Sequence, residues 1–179
     1  APWLASSRAE ALDAIGTTVV VQGQVSGSFS GHTAPIARGD GVVSNEIVRT
    51  LIESSSEISF VDRTRLFVGP ISVVKLDKFV FDQSGAASRF TVNVSKGALR
   101  FISGRSHHDA YGVQTPLGSL GLRGTIVDVV VQPLRVIVTD QMGPNQGPVV
   151  VTARNGMSIT LLPGQSAILT PSAILGPGG

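Results

Sequence analysis

Alternating apolar and polar residues mark the clearest secondary structure in this chain. In RFTVNVS, residues 89–95, the apolar side chains of Phe90, Val92 and Val94 are separated by polar ones. Because successive side chains of a strand point to opposite faces, this segment is predicted to be a β-strand with one buried and one solvent-exposed face.

Similar patterns, rich in β-branched residues, continue to the C-terminus. They predict strands at TTVVVQGQV (17–25), EIVRTLI (46–52), EISFV (57–61), VVKLDKFVFD (73–82), GALRFIS (97–103), TIVDVVVQ (125–132), LRVIVT (134–139), PVVVTA (148–153), MSITLLP (157–163) and QSAILT (165–170). The segments between them are dense in Gly, Pro, Asn and Ser, which favour turns. Short strands with a turn about every ten residues predict an all-β fold, either a short β-solenoid or a two-sheet β-roll or sandwich. No alternation of strands with helices supports a parallel α/β fold.

A short helix is predicted before the first strand, in residues 4–16. Ser7 stands in an N-cap position, Glu10 follows it at the spacing of a capping box, and Gly16 lies just past the last turn. The chain is thereby divided into three segments. They are an N-terminal helical segment over 1–16, a β domain over 17–169 and an irregular C-terminal tail over 170–179.

The composition narrows the class of function. A chain of 179 residues forms one domain with a sizeable core. Its net charge of +2 arises from residues spread along the chain, so no basic tract indicates a nucleic-acid partner. Without cysteine, the chain holds no disulfide, zinc–thiolate site or thiol nucleophile. Its longest apolar run, 125–138, is interrupted by polar residues, so no insertion into a membrane is predicted.

No group of residues has the pattern of a catalytic or cofactor site. Nucleophilic catalysis needs a nucleophile, a base and a group that orients the base, but the histidines are only His32, His107 and His108 and no G-x-S-x-G motif is present. In SGRSHHDA, 103–110, two histidines precede Asp109. Neighbouring side chains on an extended segment point in opposite directions, so a solvated loop is favoured over a metal or catalytic site. The sequence predicts no catalytic residue, no metal ligand and no cofactor.

Carboxylates at predicted turns and strand ends are the remaining candidates for chemistry. Two converging carboxylates are able to do acid–base work, but an Asp in such a position usually accepts hydrogen bonds from its own turn. The interpretation as turn caps applies to Asp40, Glu46, Asp62, Asp77, Asp82 and Asp128.

The segment TPLGSLGLRGT, residues 115–125, has glycines spaced as in a phosphate-binding loop. A dinucleotide-binding motif needs a helix after its last glycine, whereas the following TIVDVVVQ has a strand pattern. Gly118, Gly121 and Gly124 are therefore interpreted as positions that permit a positive φ or a close approach of backbones. Arg123 is expected to pair with a buried carboxylate or with main-chain carbonyls.

Four segments, in this order and spacing, resemble the FecR-type domain. They are RGDGVVSNEIVRT (38–50), ISFVDRTRLFVGPISVVKLDKFVFD (58–82), NVSKGALRFISG (93–104) and YGVQTPLGSLGLRGT (111–125). The residues that match the family's motifs, all interpreted as structural, are Asp62, Gly69, Pro70, Lys96, Gly97, Phe101, Gly104, Thr115, Pro116, Gly118, Gly121, Arg123, Gly124 and Thr125.

This resemblance implies an extracytoplasmic all-β domain, located in the periplasm, at the cell surface or in the medium of a Gram-negative bacterium. In the regulators of the FecR family, the domain follows an anti-sigma segment and a membrane helix, and it meets the signalling domain of an outer-membrane receptor in the periplasm. Neither preceding part occurs in the 179 residues, which predicts a stand-alone FecR-type module.

Two functions of different classes follow. In the favoured hypothesis, the protein is a non-enzymatic structural or interaction module that binds other copies of itself through strand edges and through the segments 1–16 and 170–179. Open edges pair through main-chain hydrogen bonds, and head-to-tail contacts that do not close produce a filament. In the alternative, it is a periplasmic sensing domain that binds an envelope receptor. Neither hypothesis involves a nucleic acid.

Overall fold

The computed structural model describes residues 14–143 and 146–177. Nearly all of the regular secondary structure in these residues is β-strand. It contains seventeen strands and a single-turn 3-10 helix, His108–Ala110. The strands β1 to β17 are Gly16–Gln22, Val25–Phe29, His32–Pro35, Gly41–Val42, Ile47–Thr50, Ser55–Phe60, Arg65–Val68, Val73–Phe81, Ala87–Ile102, Tyr111–Thr115, Gly118–Leu122, Ile126–Gln132, Arg135–Asp140, Val149–Ala153, Ser158–Leu161, Ser166–Leu169 and Ile174–Leu175. The all-β prediction is confirmed. Within the described residues, no helix has the length and apolarity needed to cross a membrane.

The strands form two ladders that share β9. Ladder A has the order β4-β1-β6-β7-β9-β12-β13-β16-β17. Ladder B has the order β3-β2-β5-β8-β9-β10-β11-β14-β15. Among the described strands, only β9 and β10 pair in parallel. The combined sheet does not close on itself.

The passage of β9 from ladder B to ladder A takes place at Gly97. Residues up to Lys96 pair with β8, and those from Gly97 onwards pair with β12. Gly97 has φ +95°, and a Cβ atom there would lie 2.1 Å from Ser72 Oγ and 2.5 Å from Ser72 Cα. L-amino acids with a side chain rarely adopt this backbone conformation, and Ser72 leaves no room for a Cβ atom. The crossing therefore requires glycine.

Both ladders contribute to one hydrophobic core. Every second residue of β6 and β12 is buried, as the alternating sequence pattern predicts for strands with one dry face. The ring of Phe90 in ladder B meets Phe60 and Phe101 of ladder A edge to face, with ring centroids 4.8 and 5.5 Å apart. Such aromatic contacts add to the hydrophobic gain from burial and join the two ladders.

Several boundaries differ from the predicted ones. The strand predicted at 17–25 is divided into β1 and β2 by a turn at Gly23, whose φ is +69°. The strands predicted at 89–95 and 97–103 form the single strand β9. The hairpin of β10 and β11 was not predicted, because its glycines resemble a turn more than a strand. The short strands β3, β4 and β7 were missed as well.

The two ends of the chain also differ from the prediction where the structure describes them. Most of the predicted helix at 4–16 lies outside the described residues, and Gly16 begins β1. The tail over 170–179 is not wholly irregular, since β17 pairs with β16 through Ile168 and Leu169.

Candidate functional site

A fully buried carboxylate, Asp62, organises one end of the core. Its Oδ2 atom accepts hydrogen bonds from Ser106 Oγ and from the hydroxyl of Tyr111, each 2.7 Å long. Its Oδ1 atom accepts the main-chain N–H of Thr64 at 2.9 Å. These donors offset the cost of burying a carboxylate. Burial raises the pKa of the Tyr111 hydroxyl above its ordinary value, so Tyr111 remains a donor at neutral pH.

The same network fixes the connection that follows β9. The main-chain N–H of Gly104 donates to Thr64 Oγ1 at 3.1 Å. A Cβ atom on Gly104 would lie 2.3 Å from the carbonyl oxygen of Asp62, so this approach also requires a residue without a side chain. Ser106 Oγ accepts the N–H of Ala87 at 2.6 Å. Asp62 and Gly104, both matched to FecR motifs, therefore serve the fold.

The turn of Gly69 and Pro70 lies beside the crossing of β9. The N–H of Gly69 donates to the carbonyl of Ala98 at 2.8 Å, and its own carbonyl accepts Thr50 Oγ1 at 2.6 Å. Pro70 and Lys96 are exposed. By contrast, Phe101, on the ladder A side of the crossing, is completely buried. This part of the motif connects the turn after β7 to the crossing strand.

Thr115 caps the hairpin of β10 and β11. Its Oγ1 atom accepts the N–H groups of Leu117 and Gly118 and donates to the Gly118 carbonyl at 2.7 Å. Pro116 is exposed at the tip of the hairpin. A Cβ atom on Gly118 would lie 2.4 Å from the carbonyl oxygen of Thr152, so the backbones approach closely there, as predicted.

The other motif residues of this hairpin have different roles. Gly124 has φ +69°, a left-handed conformation that favours glycine. At Gly121 the nearest atom to an added Cβ is 4.0 Å away, so the structure has room for a side chain. Arg123 is exposed, and among the described residues its guanidinium has no hydrogen bond or ion pair. Within the described residues, the Arg123 side chain therefore has neither the buried carboxylate nor the main-chain carbonyls that were predicted as its partners.

Another buried carboxylate, Asp140, was not predicted from the sequence. Its Oδ1 atom accepts a 2.5 Å hydrogen bond from Thr125 Oγ1, and both residues are buried. Its Oδ2 atom has no hydrogen-bond partner in the described part of the chain. Burial raises the pKa of Asp140 above its ordinary value. The only signal in the sequence is an Asp that ends the apolar strand pattern of residues 134–139.

The carboxylates interpreted as turn caps divide into two groups. In agreement with the prediction, four of them accept main-chain N–H groups of their own turns: Asp40, Glu46, Asp62 and Asp82. Asp77 and Asp128 instead lie inside β8 and β12, where each pairs with a polar side chain of β9. The cap interpretation is therefore wrong for these two residues.

His107, His108 and Asp109 come together on the surface. Residues 108–110 form the 3-10 helix rather than an extended segment, and the two imidazole rings stack with centroids 4.3 Å apart. The possible ligand atoms of the three side chains lie within 4.8 Å of one another. His32 belongs to β3 and is not part of this group.

An open sheet edge is the second surface feature. The strands at the ends of the ladders are β4, β17, β3 and β15. Of these, β4 and β17 have two residues each, and β3 ends in Pro35, which has no N–H to donate. β15, with the sequence SITL, has neither a proline nor a charged residue. In the described part of the chain, its main chain pairs with β14 alone.

Exposed apolar side chains flank this edge. Met157 precedes β15 and is 61% exposed, and Leu162 follows it and is 56% exposed. An uncharged edge strand with apolar neighbours is a template for the addition of a further strand. The sequence predicted a strand here but not an edge, because the order of strands in a ladder is set by the tertiary structure.

Comparison with known families identifies the module. The family model described as FecR protein matches residues 46–140, which is more than half of the chain. The chain belongs to the FecR family. All the motif residues from Asp62 to Thr125 lie inside the matched range of this FecR domain.

The FecR domain is similar in fold to two crystal structures of a candidate anti-sigma factor from Parabacteroides distasonis. The TM-scores are 0.58 and 0.55, and each comparison gives 15% sequence identity over 72% of this chain and 57% of the other. The chain thus spans little more than half the length of that protein. No match was found among curated proteins.

Proposed function

We propose that this FecR domain is an extracytoplasmic regulatory module that binds a protein partner of the cell envelope. The family match over residues 46–140 carries this proposal. In FecR-type regulators, the corresponding domain meets the periplasmic signalling domain of an outer-membrane receptor, and a domain of that kind is the partner proposed here. The likeness of the fold to a candidate anti-sigma factor supports the same class of function.

A binding role, rather than catalysis, is consistent with how the polar groups are used. The carboxylate of Asp62 accepts three hydrogen bonds within the core, and Asp140 is buried against Thr125. Neither carboxylate is exposed to a substrate. Catalysis by a nucleophile needs a base within hydrogen-bond reach. In the described part of the chain, the hydrogen bond to a histidine ring comes from a main-chain N–H, that of Asp109, and not from a hydroxyl.

The edge strand β15 is the proposed contact. Alternate residues of an antiparallel edge strand direct their N–H and C=O groups away from the ladder, so a strand of the receptor domain can extend ladder B. Main-chain hydrogen bonds supply the affinity, and contacts with Met157 and Leu162 at either end contribute apolar burial. The edge has no lysine or glutamate that would hinder pairing.

The gene neighbourhood and a binding measurement together test whether the domain binds a receptor. We expect a neighbouring gene for an outer-membrane receptor with a periplasmic signalling domain. Isothermal titration of the purified 179-residue chain with that signalling domain is expected to give saturable binding of one partner per chain. The absence of binding to that domain contradicts the proposal.

Self-assembly is the second candidate, and one feature favours it. β3 and β15 lie at the two ends of ladder B, so edge-to-edge pairing of copies would prolong the ladder from chain to chain. Size-exclusion chromatography with light scattering separates the two candidates. A regulatory module that binds a receptor is expected to be monomeric alone, whereas a mass that rises with protein concentration favours self-assembly.

A further inference from the structure

We propose that His107, His108 and Asp109 form a binding site for a divalent transition-metal ion such as Zn²⁺. The three side chains are exposed by 68%, 49% and 62%, so an ion reaches them from solvent without any opening of the fold. Two imidazole nitrogens and a carboxylate oxygen are a donor set that Zn²⁺, Ni²⁺ and Cu²⁺ prefer. The carboxylate also supplies a negative charge beside the cation.

The separations of the donor atoms suit such an ion. His108 Nε2 lies 3.4 Å from Asp109 Oδ1, and His107 Nδ1 lies 3.6 Å from Asp109 Oδ2. In a tetrahedral zinc site with bonds of about 2.0 to 2.1 Å, neighbouring ligand atoms are about 3.3 Å apart. The two nitrogen–oxygen separations are thus within a few tenths of an ångström of this value, and all three donor atoms lie within 4.8 Å of one another, so side-chain rotations of exposed residues are enough to bring them to one ion.

The 3-10 turn explains why consecutive residues converge. The N–H of Ala110 donates to the carbonyl of His107 at 2.9 Å and closes the turn. In this tight winding, side chains three residues apart eclipse one another and those of neighbouring residues no longer point to opposite sides, as they do in a strand. The two imidazole rings stack with an interplanar angle of 29°, and the Asp109 carboxylate reaches both.

The residues on either side of the 3-10 turn are held by hydrogen bonds to the core. Ser106 precedes it and Tyr111 follows it, and both donate to the same oxygen of buried Asp62 at 2.7 Å. The N–H of Ser106 also donates to the Tyr111 hydroxyl at 3.0 Å. Because both ends are held, little conformational freedom is left to lose when an ion binds, and preorganisation of this kind favours affinity.

One existing interaction competes with the ion. The N–H of Asp109 donates to His107 Nδ1 at 3.3 Å, which occupies the lone pair that would bind metal. This bond is longer than usual for N–H to a ring nitrogen and lies at the exposed surface, so its replacement costs little. Three protein ligands leave a coordination position for water or for a side chain of a partner.

Isothermal titration of the untagged 179-residue chain with ZnCl2 tests the site. We expect one ion per chain with a Kd on the order of 10 μM. His107→Ala, His108→Ala and Asp109→Asn are each expected to weaken binding by about tenfold or more. His32→Ala removes the one other histidine and is the matched control, with an unchanged Kd. Circular dichroism of the metal-free variants establishes that each is folded.

Amide chemical shifts provide a second measurement that does not depend on the variants. Zn²⁺ is expected to move the signals of residues 105–112 and to leave those of β15 unchanged. The proposal is wrong if wild type shows no saturable binding of Zn²⁺, Ni²⁺ or Cu²⁺, if His32→Ala weakens binding as much as His107→Ala, or if the shifts lie elsewhere.

Discussion

The hydroxyl of Tyr111 donates a 2.7 Å hydrogen bond to Oδ2 of Asp62, although the two residues are 49 positions apart in the sequence. Tyr111 begins β10 in ladder B, and Asp62 follows β6 in ladder A. Their exposed fractions are 3% and 0%. A charge-assisted hydrogen bond shielded from water in this way holds the ladders together at one end of the core.

Replacing Tyr111 by Phe tests this bond. The ring stays, but Asp62 loses a donor while remaining buried, so the free energy of unfolding is expected to fall by about 2 kcal/mol. Urea denaturation followed by circular dichroism measures the change. Ser28→Ala is the control, because it removes an exposed hydroxyl bonded to Thr33 and is expected to cost less than about 0.5 kcal/mol. Equal decreases in the free energy of unfolding of the two variants would show that the buried hydrogen bond stabilises the fold no more than the exposed one.

Asp140 is expected to make stability depend on pH. Burial raises its pKa in the folded state above the unfolded-state value of about 4, so the folded state binds the proton more tightly between these two pKa values. The free energy of unfolding therefore falls as the pH rises through that interval. Asp140→Asn does not ionise, so wild type is expected to lose stability relative to it as the pH rises from about 4 towards neutrality.

Urea denaturation of both proteins at a series of pH values measures this difference. Other groups that titrate are the same in the two proteins, so they cancel in the comparison. A difference in stability that stays constant over the series would contradict the assignment of a raised pKa to Asp140.

Two glycines of the FecR motif are expected to respond differently to alanine. Gly97→Ala places a Cβ atom 2.1 Å from Ser72 Oγ at a residue with φ +95°, so a loss of more than about 2 kcal/mol is expected. Gly121→Ala meets its nearest atom at 4.0 Å, and it also removes the entropic cost of glycine in a strand. It is expected to be neutral or slightly stabilising. Thermal unfolding of both variants measures the two changes in stability. A large loss of stability for Gly121→Ala would contradict the conclusion that the structure has room for a side chain there.

Charge on the edge of β15 is expected to weaken the binding of the receptor signalling domain. Thr160 is exposed on this strand, and Thr160→Lys introduces a charge of the kind that blocks the pairing of edge strands. We expect an increase in Kd of about tenfold or more, measured by isothermal titration. Thr33→Lys makes the same change on the other edge of ladder B, and its Kd is expected to stay at the wild-type value. If Thr33→Lys alone weakens binding, the contact lies at β3.

The sequence was most informative where packing is local. Alternation along residues 89–95 predicted the buried and exposed faces of β9, because side-chain direction in a strand follows directly from position. It did not predict that this strand continues to Ile102, since the passage through Gly97 depends on the contact with Ser72. β10 and β11 were missed because residues 118–124 contain glycines whose partners lie on distant strands.

The surface features were less predictable than the core. Arg123 was expected, from its apolar neighbours, to pair with a buried carboxylate or with main-chain carbonyls, but the alternation of β11 ends at Leu122 and the Arg side chain is exposed. His107 and His108 were assumed to lie on an extended segment, and the 3-10 turn brings them together instead. Both outcomes depend on where a strand ends, which local residue preferences define poorly.

The position of β9 in both ladders has a consequence for how the protein unfolds. It pairs with β7 and β12 through one half and with β8 and β10 through the other. β9 is the middle strand of both ladders, so its separation from its neighbours would divide each ladder in two. The two ladders are therefore expected to open as one cooperative unit, with amides on both sides of Gly97 exchanging through the same event, while β15 and β17 at the periphery fray independently.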